Sequence, residues 1–595
     1  MAEYLDKVSI QGAVRPFKDF DLSCQQLTTS TFMRPTIPYI KEFPKCKIEC
    51  NLKSYARLMP LEHPVLGSVQ VYNRAFWVPM RVLWHPWSAF ITNSPYVNDD
   101  GTVVLNSVPN IKVSDLFDIV KSNSVVIDDD DAVFDFQSLG GTKYKMNATG
   151  RHIFKIFRQL GYPFLDTANK NRVVSAMPLL AFTKVMLDWY FPSQYANTGV
   201  YASAQQVLQI RRVYTLRQHE ILTLLAVCVR SFYKNDYFTS CWDSPVSPNL
   251  GTYDGITIPD ISVIGAAPSD MGVNGDWYHP YASTTGVIND IGVSNAASNG
   301  TPIADMNIRS SQQNAHRLGM SVSQFGHDSL KALTNYVKRH QLVGSRVLDR
   351  YLADFGVRLD SEVLSRSVYI GSQTFPIQFS DVMSNSDTQG AVLGDYAGKG
   401  VAYDGSGKFE YVSDEYGYFL IINEIIPDIA YYQGYDRNVD HLGFLDFFQP
   451  EFESLGTQAV KVGELNSLFS IDENNLLDSI FGYLPRYSEY RIGRDSVTGD
   501  FLLNTRNVGL MGWSTVRDVV DYTQAHSLSF LIGNDAAQYQ RIFYGDSLDE
   551  SDNFIFVHRV NIKVAMQMSP QYDTYDFDEK YGDEIIMQAN GTKLS

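Results

Sequence analysis

Gly545, Asp546, Ser547 and Leu548 form the string in this chain that most resembles a reaction centre, with a serine hydroxyl flanked by a carboxylate. Such a serine attacks an ester only when a base takes its proton and donors hold the oxyanion. The only downstream histidine is His558, six residues beyond Asp552, and fewer than fifty residues follow Ser547. A polar turn entering the last strand is the stronger reading. Cys46 and Cys50 make a C-x3-C pair, but no second Cys or His pair stands nearby to complete a zinc tetrahedron, which favours buried strand thiols. The run Asp128 to Asp131 offers oxygen ligands to a hard cation without the alternating spacing and closing Glu of a calcium loop, so it reads as a solvated acidic loop. There is no H-E-x-x-H, phosphate-cradling loop or dinucleotide fingerprint, and Gly140-Gly141 is most simply a turn. No catalytic residue, cofactor or metal is expected.

Basic side chains give a second kind of candidate. Arg151, Lys155 and Arg158 recur at helical spacing around Phe154 and Phe157, and Arg211-Arg212 and Lys338-Arg339 form further clusters. All are suited to phosphate contact, against a plainer role in solvated helix faces and salt bridges between subunits.

These residues must be carried by elements that the sequence pattern partly reveals. Over 45–53, Cys46, Ile48, Cys50 and Leu52 fall on one face and Lys45, Lys47, Glu49, Asn51 and Lys53 on the other, which predicts a half-buried strand. Residues 68–78 predict another, closed by Pro79. Near the other end, Val560, Ile562, Val564, Met566 and Met568 alternate with polar residues across 554–568. The middle is mixed. Residues 176–191 predict a buried helix stopped by Pro192, and the stripe from Leu330 through Phe355 predicts helical segments on either side of Gly344. Between Ser244 and Asp305 the composition turns to Gly, Ser, Asn, Asp, Thr and Pro with no Lys or Arg. That stretch reads as an inserted surface protrusion, with Trp277, Tyr278 and Tyr281 as candidate contact residues.

Composition narrows the class. The 595 residues are 44% hydrophobic and 19% charged, so the chain folds, and 36 Tyr, 34 Phe and 7 Trp favour strands and large contact surfaces. A net charge of −17 argues against non-specific nucleic-acid binding by the whole surface while leaving room for a local basic patch. The first twenty residues mix Lys7, Arg15 and Lys18 with Glu3, Asp6 and Asp19, so no polybasic arm opens the chain. Five cysteines at wide spacing suit free thiols in a reducing cytoplasm, and neither a secretory leader nor a membrane-spanning run is expected.

Several blocks resemble those of the major capsid proteins of the Microviridae, especially the gokushovirus-like branch. They are Phe20-Asp21-Leu22-Ser23, TFMRPTIPYIKEFPKCKIEC, VYNRAFWVPMRVLWHPWSAFIT, MPLLAFTKVMLDWYF, Asp236-Tyr237-Phe238-Thr239-Ser240 and RHQLVGSRVLDRYLADFGV. YYQGYDRNVDHLGFLDFFQPEFESLGTQAV, FGYLPRYSEYR and FIFVHRVNIKV follow in the family's order, so the resemblance runs from about residue 17 to 570. Tyr416 and Thr457 depart from residues frequent in the family, and 95–150 and 244–305 show no match.

The resemblance implies a mainly β chain: one eight-stranded antiparallel jelly roll of viral capsid type, spanning 1–595, with long helix-bearing loop insertions. It implies a homo-oligomer, built through pentamers into a T=1 icosahedral virion shell around circular single-stranded DNA and assembled in the bacterial host cytoplasm. A separate small basic DNA-packaging protein would accompany the genome, and the 244–305 protrusion would meet a host surface receptor, such as a glycan. Two other classes compete. A glycan-binding jelly-roll lectin or receptor-binding module explains the strands and aromatics but not the ordered blocks. A GDSL esterase is disfavoured because in that family the block stands near the N-terminus and a D-x-x-H block closes the domain.

Overall fold

The computed structural model describes residues 17–63, 65–92, 107–127, 142–163, 171–195, 199–209, 215–243, 366–383, 396–453, 457–467, 477–502, 510–519, 526–534, 536–544 and 552–567. It also describes the short strand segments 96–97, 103–104, 136–137, 261–266, 278–280, 293–295 and 305–310, and residues 332, 335, 352 and 356. Most of the stripe from Leu330 to Phe355, Gly140-Gly141 and Lys338-Arg339 therefore lie outside the described residues.

Alternation becomes strand where expected, and further. β1 (Lys18–Asp21), β2 (Cys24–Ser30) and β3 (Thr36–Phe43) lead to β4 (Cys46–Leu58) and β5 (Val69–Pro79). After a long excursion come β6 (Val368–Pro376), β7 (Gln378–Met383), β8 (Tyr396–Ser413) and β9 (Gly417–Pro427). A second excursion holds the hairpin of β10 (Thr457–Lys461) and β11 (Ile480–Pro485) before β12 (Phe554–Met566). β4 runs five residues past the predicted end because Ser54, Ala56 and Leu58 keep the inward alternation, the first two with side chains too small or polar to mark it in the sequence.

Two antiparallel sheets result. In the first, β12 lies between β4 and the β1–β2 pair, with β8 and then β7 beyond β4. In the second the order is β6-β5-β9-β3. Their inner faces meet in two apolar clusters. One contains Ile48, Cys50, Trp77, Phe419 and Ile562, the other Ala56, Val71, Phe375, Ile425 and Phe556.

A buried polar belt crosses the sandwich. Thr36 Oγ1 donates to Asn423 Oδ1 (3.3 Å), Asn423 Nδ2 to Asn73 Oδ1 (2.8 Å), and Asn73 Nδ2 to Ser54 Oγ (3.0 Å) and Gln373 Oε1 (3.2 Å). Ser54 Oγ in turn lies 2.9 Å from His558 Nδ1. β3, β9, β5, β6, β4 and β12 each contribute one member. Buried polar groups are costly unless paired, and a paired set of this kind disfavours slipped registers.

Helices cover the other face of the second sheet. α1 (Val113–Ser122), α2 (Ala148–Gln159), α3 (Met177–Val185), α4 (Gly199–Leu208) and α5 (Gln218–Cys228) share one apolar cluster with Ile37, Phe76, Val78, Leu420 and Ile422. β9 is consequently buried on both faces along all eleven residues, which accounts for its near-continuous apolar run GYFLIINEIIP. Its one acid, Glu424, accepts from Arg74 Nη1 (2.5 Å) and Ser231 Oγ (2.6 Å). The predicted helix over 176–191 is α3 followed by a π-helical turn, Met186–Tyr190, before Pro192. Within that turn Asp188 Oδ2 accepts from the backbone and hydroxyl of Ser367 (2.8 and 2.9 Å), tying the insertion to the start of β6.

By its contacts the chain forms two units, Met1–Pro245 with Val343–Ser595, and Val246–Leu342. In the second, Ile261–Ala266 pairs with Asp305–Ser310 and Tyr278–Pro280 with Val293–Asn295, both antiparallel.

Candidate nucleic-acid interface

α2 carries the three cations expected at helical spacing. Asn147 caps its N-terminus by accepting from Gly150 N–H (2.7 Å). Ile153, Ile156 and Phe157 face the core, so Arg151, Lys155 and Arg158 occupy the flank. Their ends are differently engaged. Lys155 Nζ bonds Asp552 Oδ2 at 2.7 Å, and burial lowers its pKa. Arg158 Nη1 donates to Tyr162 O (2.7 Å), closing the C-terminal end of the helix, while its side chain stays exposed. Arg151 is half-buried. Arg211 and Arg212 lie outside the described residues, as do Trp277 and Tyr281; Tyr278 begins a short strand.

A denser set of cations sits elsewhere, on the outer face of the first sheet. Because side chains opposite one another in an antiparallel ladder share a face, the register fixes its rows. Lys53 stands opposite Arg559 and Arg559 opposite Gln25; Arg57 stands opposite Ile555; Tyr55 and Leu27 both face Val557. Two like charges directly opposite cost stability. Lys53, Arg57 and Arg559 are exposed, and among the described residues none makes an ion pair or side-chain hydrogen bond. Further along the face, Glu49 and Glu410 are engaged by Lys47 and Lys408. Free cations around an exposed tyrosine are what a single strand of nucleic acid uses, phosphates on the cations and a base on the ring. The alternation over 45–53 and 554–568 already put Lys53 and Arg559 on the solvent side. What the sequence withheld was that the two strands, 500 residues apart, are neighbours.

The residues with enzyme-like or metal-like spacing are only partly described. Ser547 and Asp128 to Asp131 lie outside the described residues. His558 is fully buried between the sheets, stacked on Phe556 with ring centres 5.1 Å apart, and burial lowers its pKa to about 3. Asp552 instead accepts from Lys155 and from Thr29 Oγ1 (2.7 Å). The imidazole is thus directed at Ser54 in the core, and the carboxylate that would orient it is bonded elsewhere. Cys46 and Cys50 each show 1% exposure, and burial pushes both thiols up to about 12, away from the thiolate that a metal requires.

A family model described as capsid protein (F protein) matches residues 8–114 and 149–572. The chain belongs to this phage capsid family. Two curated relatives are similar to parts of it. The capsid protein VP1 of Chlamydia phage 1 is 27% identical over 177 residues, 29% of this chain and 30% of the relative. The capsid protein VP1 of Bdellovibrio phage phiMH2K is 29% identical over 165 residues, 27% of this chain and 30% of the relative. The matched stretch therefore spans about a third of the length of each. The family match bears out the resemblance read from the ordered sequence blocks, and the gap at 115–148 falls within the 95–150 stretch where those blocks gave no match.

Proposed function

We propose that this chain is the shell-forming subunit of a small icosahedral phage of T=1 symmetry, assembling through pentamers around circular single-stranded DNA. The family match over 8–114 and 149–572 carries this reading. Its core is proposed to be an eight-stranded jelly roll. Counting β1 with β2, and β6 with β7, as single strands, the two sheets together have eight, and the order first-eighth-third-sixth opposite second-seventh-fourth-fifth supports the jelly-roll reading. The loops between β5 and β6 and between β9 and β12 are its long insertions, the first bearing α1 to α5. The subunit acts through its contacts and needs no reactive centre. Its place is the virion, after assembly in the host cytoplasm with a small basic packaging protein supplying charge that an acidic subunit lacks. The segment 244–305, with Trp277, Tyr278 and Tyr281, is proposed as a protrusion that meets the host receptor, for which its Lys- and Arg-free, Gly- and Ser-rich composition is the support.

For the genome we propose the outer face of the first sheet, with Lys53, Arg57, Arg559 and Tyr55, and add Arg151 and Arg158 on α2. Arg211 and Arg212 extend the same proposal. Lys155, bonded to Asp552, contributes only by exchanging that partner. Electron microscopy of particles from producing cells tests the shell: the chain must be the main protein of closed particles, and its absence from them defeats the reading. Lys53→Glu with Arg559→Glu must lower the DNA content of particles; an unchanged DNA-to-protein ratio removes the sheet face from the proposal.

A further inference from the structure

The segment after β9 carries a concentration of exposed apolar side chains. Leu442 is 87% exposed and Phe444 74%, and Phe447, Phe448 and Tyr490 are about half exposed. Phe447, Phe448 and Tyr490 form one surface with His441, and Leu442 and Phe444 stand on the turn that leads into it. Phe448 lies 6.2 Å from Tyr490 between ring centres, and His441 bridges Phe447 and Tyr490 at 5.6 and 6.5 Å. A buried aromatic removes roughly 150–250 Å² from water, so this cluster leaves on the order of 500 Å² of apolar area open. That is at the upper end of patches on monomeric proteins and a large part of the ~800 Å² that one partner buries in a stable interface.

The cluster is also held rigidly. Asp446 accepts from the backbone N–H of Leu442 (3.1 Å) and Gly443 (2.6 Å), fixing the turn that lifts Leu442 and Phe444 outward. Tyr487, beneath it, is one of two described non-glycine residues at positive φ, at 63°. Three hydrogen bonds hold it there. Its N–H donates to Gln458 Oε1 (2.8 Å), its hydroxyl donates to Phe447 O (3.3 Å), and that hydroxyl accepts from Gln449 N–H (3.2 Å). A left-handed tyrosine so over-determined is the kind of strain that collects at sites of contact. Arg437, bonded to the buried Glu464 (2.9 Å), anchors the start of the segment. Exposed apolar rings on a preorganised support lose little conformational entropy when covered, which is the property of an interface hot spot. Around them stand charges of both signs, Arg491 with Glu453 (2.5 Å) and Lys461 with Asp440 (2.7 Å), the make-up of an interface rim.

We infer that this aromatic platform is a contact between copies of the chain, in which Leu442 and Phe444 insert into a neighbouring subunit. The occupant proposed is a second copy, since the open apolar area is a large part of what one partner buries in a stable interface; the inference rests on the shell-forming reading.

The test uses the full chain in cells that produce particles. Leu442→Ser with Phe444→Ser alters two side chains that project beyond their supports, so the melting curve of the free subunit must stay that of the wild type. Incorporation into the particle-sized sedimenting fraction is expected to fall at least tenfold, the scale of a hot-spot loss. Hydroxyl-radical footprinting of the wild type supplies a readout free of any folding defect: Leu442, Phe444 and Tyr490 must be several-fold less oxidised in particles than in free subunits. Wild-type incorporation of the variant, or equal oxidation in both states, overturns the proposal. Absence of the wild-type chain from all particles instead sinks the capsid reading and takes the contact with it.

Discussion

Replacing Asn73 by leucine tests whether the buried belt stabilises the sandwich or merely fills it. The two side chains share heavy-atom count and branching, so no cavity is created; the loss falls on hydrogen bonding, with the bulkier leucine methyls adding to it at this fully buried site. Three bonds are lost, to Ser54 Oγ, Gln373 Oε1 and from Asn423 Nδ2. Ser54 retains its contact with His558, and Asn423 still accepts from Thr36, but Asn423 Nδ2 and Gln373 Oε1 are left buried without these partners. Each such group costs roughly 1–3 kcal/mol, so the two give about 2–6 kcal/mol for the substitution, a large share of the 5–15 kcal/mol that holds a typical domain together. Urea unfolding of the free subunit, followed by tryptophan fluorescence, reads the loss as a shift in midpoint at unchanged slope. A loss under about 1 kcal/mol refutes the reasoning, because it means that water or rearrangement satisfies the orphaned groups as well as Asn73 does.

Acid should weaken the fold through its buried histidines. Burial lowers His526 to about 4 and His558 to about 3, and lowers His152 as well. A depressed histidine leaves the unfolded chain holding more protons, so the stability present above about pH 6.5 is lost as pH falls toward the folded values. At pH 5 each of His526 and His558 costs roughly 2 kcal/mol, and a urea midpoint that is the same at pH 7.5 and pH 5 contradicts this. Glu424→Ala strands Arg74 beside Tyr72 and Tyr190 and removes the acceptor of Ser231, for a loss of about 3–5 kcal/mol, checked by thermal melting. Under native conditions iodoacetamide is expected to label Cys24, the exposed thiol, and to spare Cys46, Cys50, Cys228 and Cys241 until urea opens the core; mass mapping of the labelled peptides decides it.

Strands with strict alternation were legible because one face of the first sheet meets solvent, as at Lys47, Glu49 and Lys53 on β4. β9 was not, since burial on both faces erases the period, and β8 was not because Gly, Asp and Ser interrupt it. The belt hides for a related reason: Ser54, Asn73 and Asn423 look like breaks in apolar runs until the sheets bring them together. The helix bearing Arg151, Lys155 and Arg158 was readable from spacing, but the partner of Lys155 stands 397 residues away. Local sequence carries no signal of such a pair. The unpaired cations of the first sheet were visible one strand at a time, and their convergence depended on a register that only the fold supplies.

Because β12 lies between β4 and the β1–β2 pair, the first sheet has a vacancy at its centre until the last strand exists. A ribosome that has finished β2 must add more than 500 residues before Phe554 emerges, which at 5–20 residues per second takes on the order of half a minute to two minutes. Until β8 emerges both ladders of β4 are open, one stays open for the rest of the interval, and β1 and β2 have no ladder partner throughout. Vectorial synthesis thus leaves the N-terminal strands as bare edges, and an unpaired strand recruits other chains. Chains stalled before Phe554 should therefore be cut by protease within β1 and β2, whereas chains released past Met566 resist. On that schedule, holding the opening strands apart from one another is a task for chaperones, and the closing strand is the step that ends it.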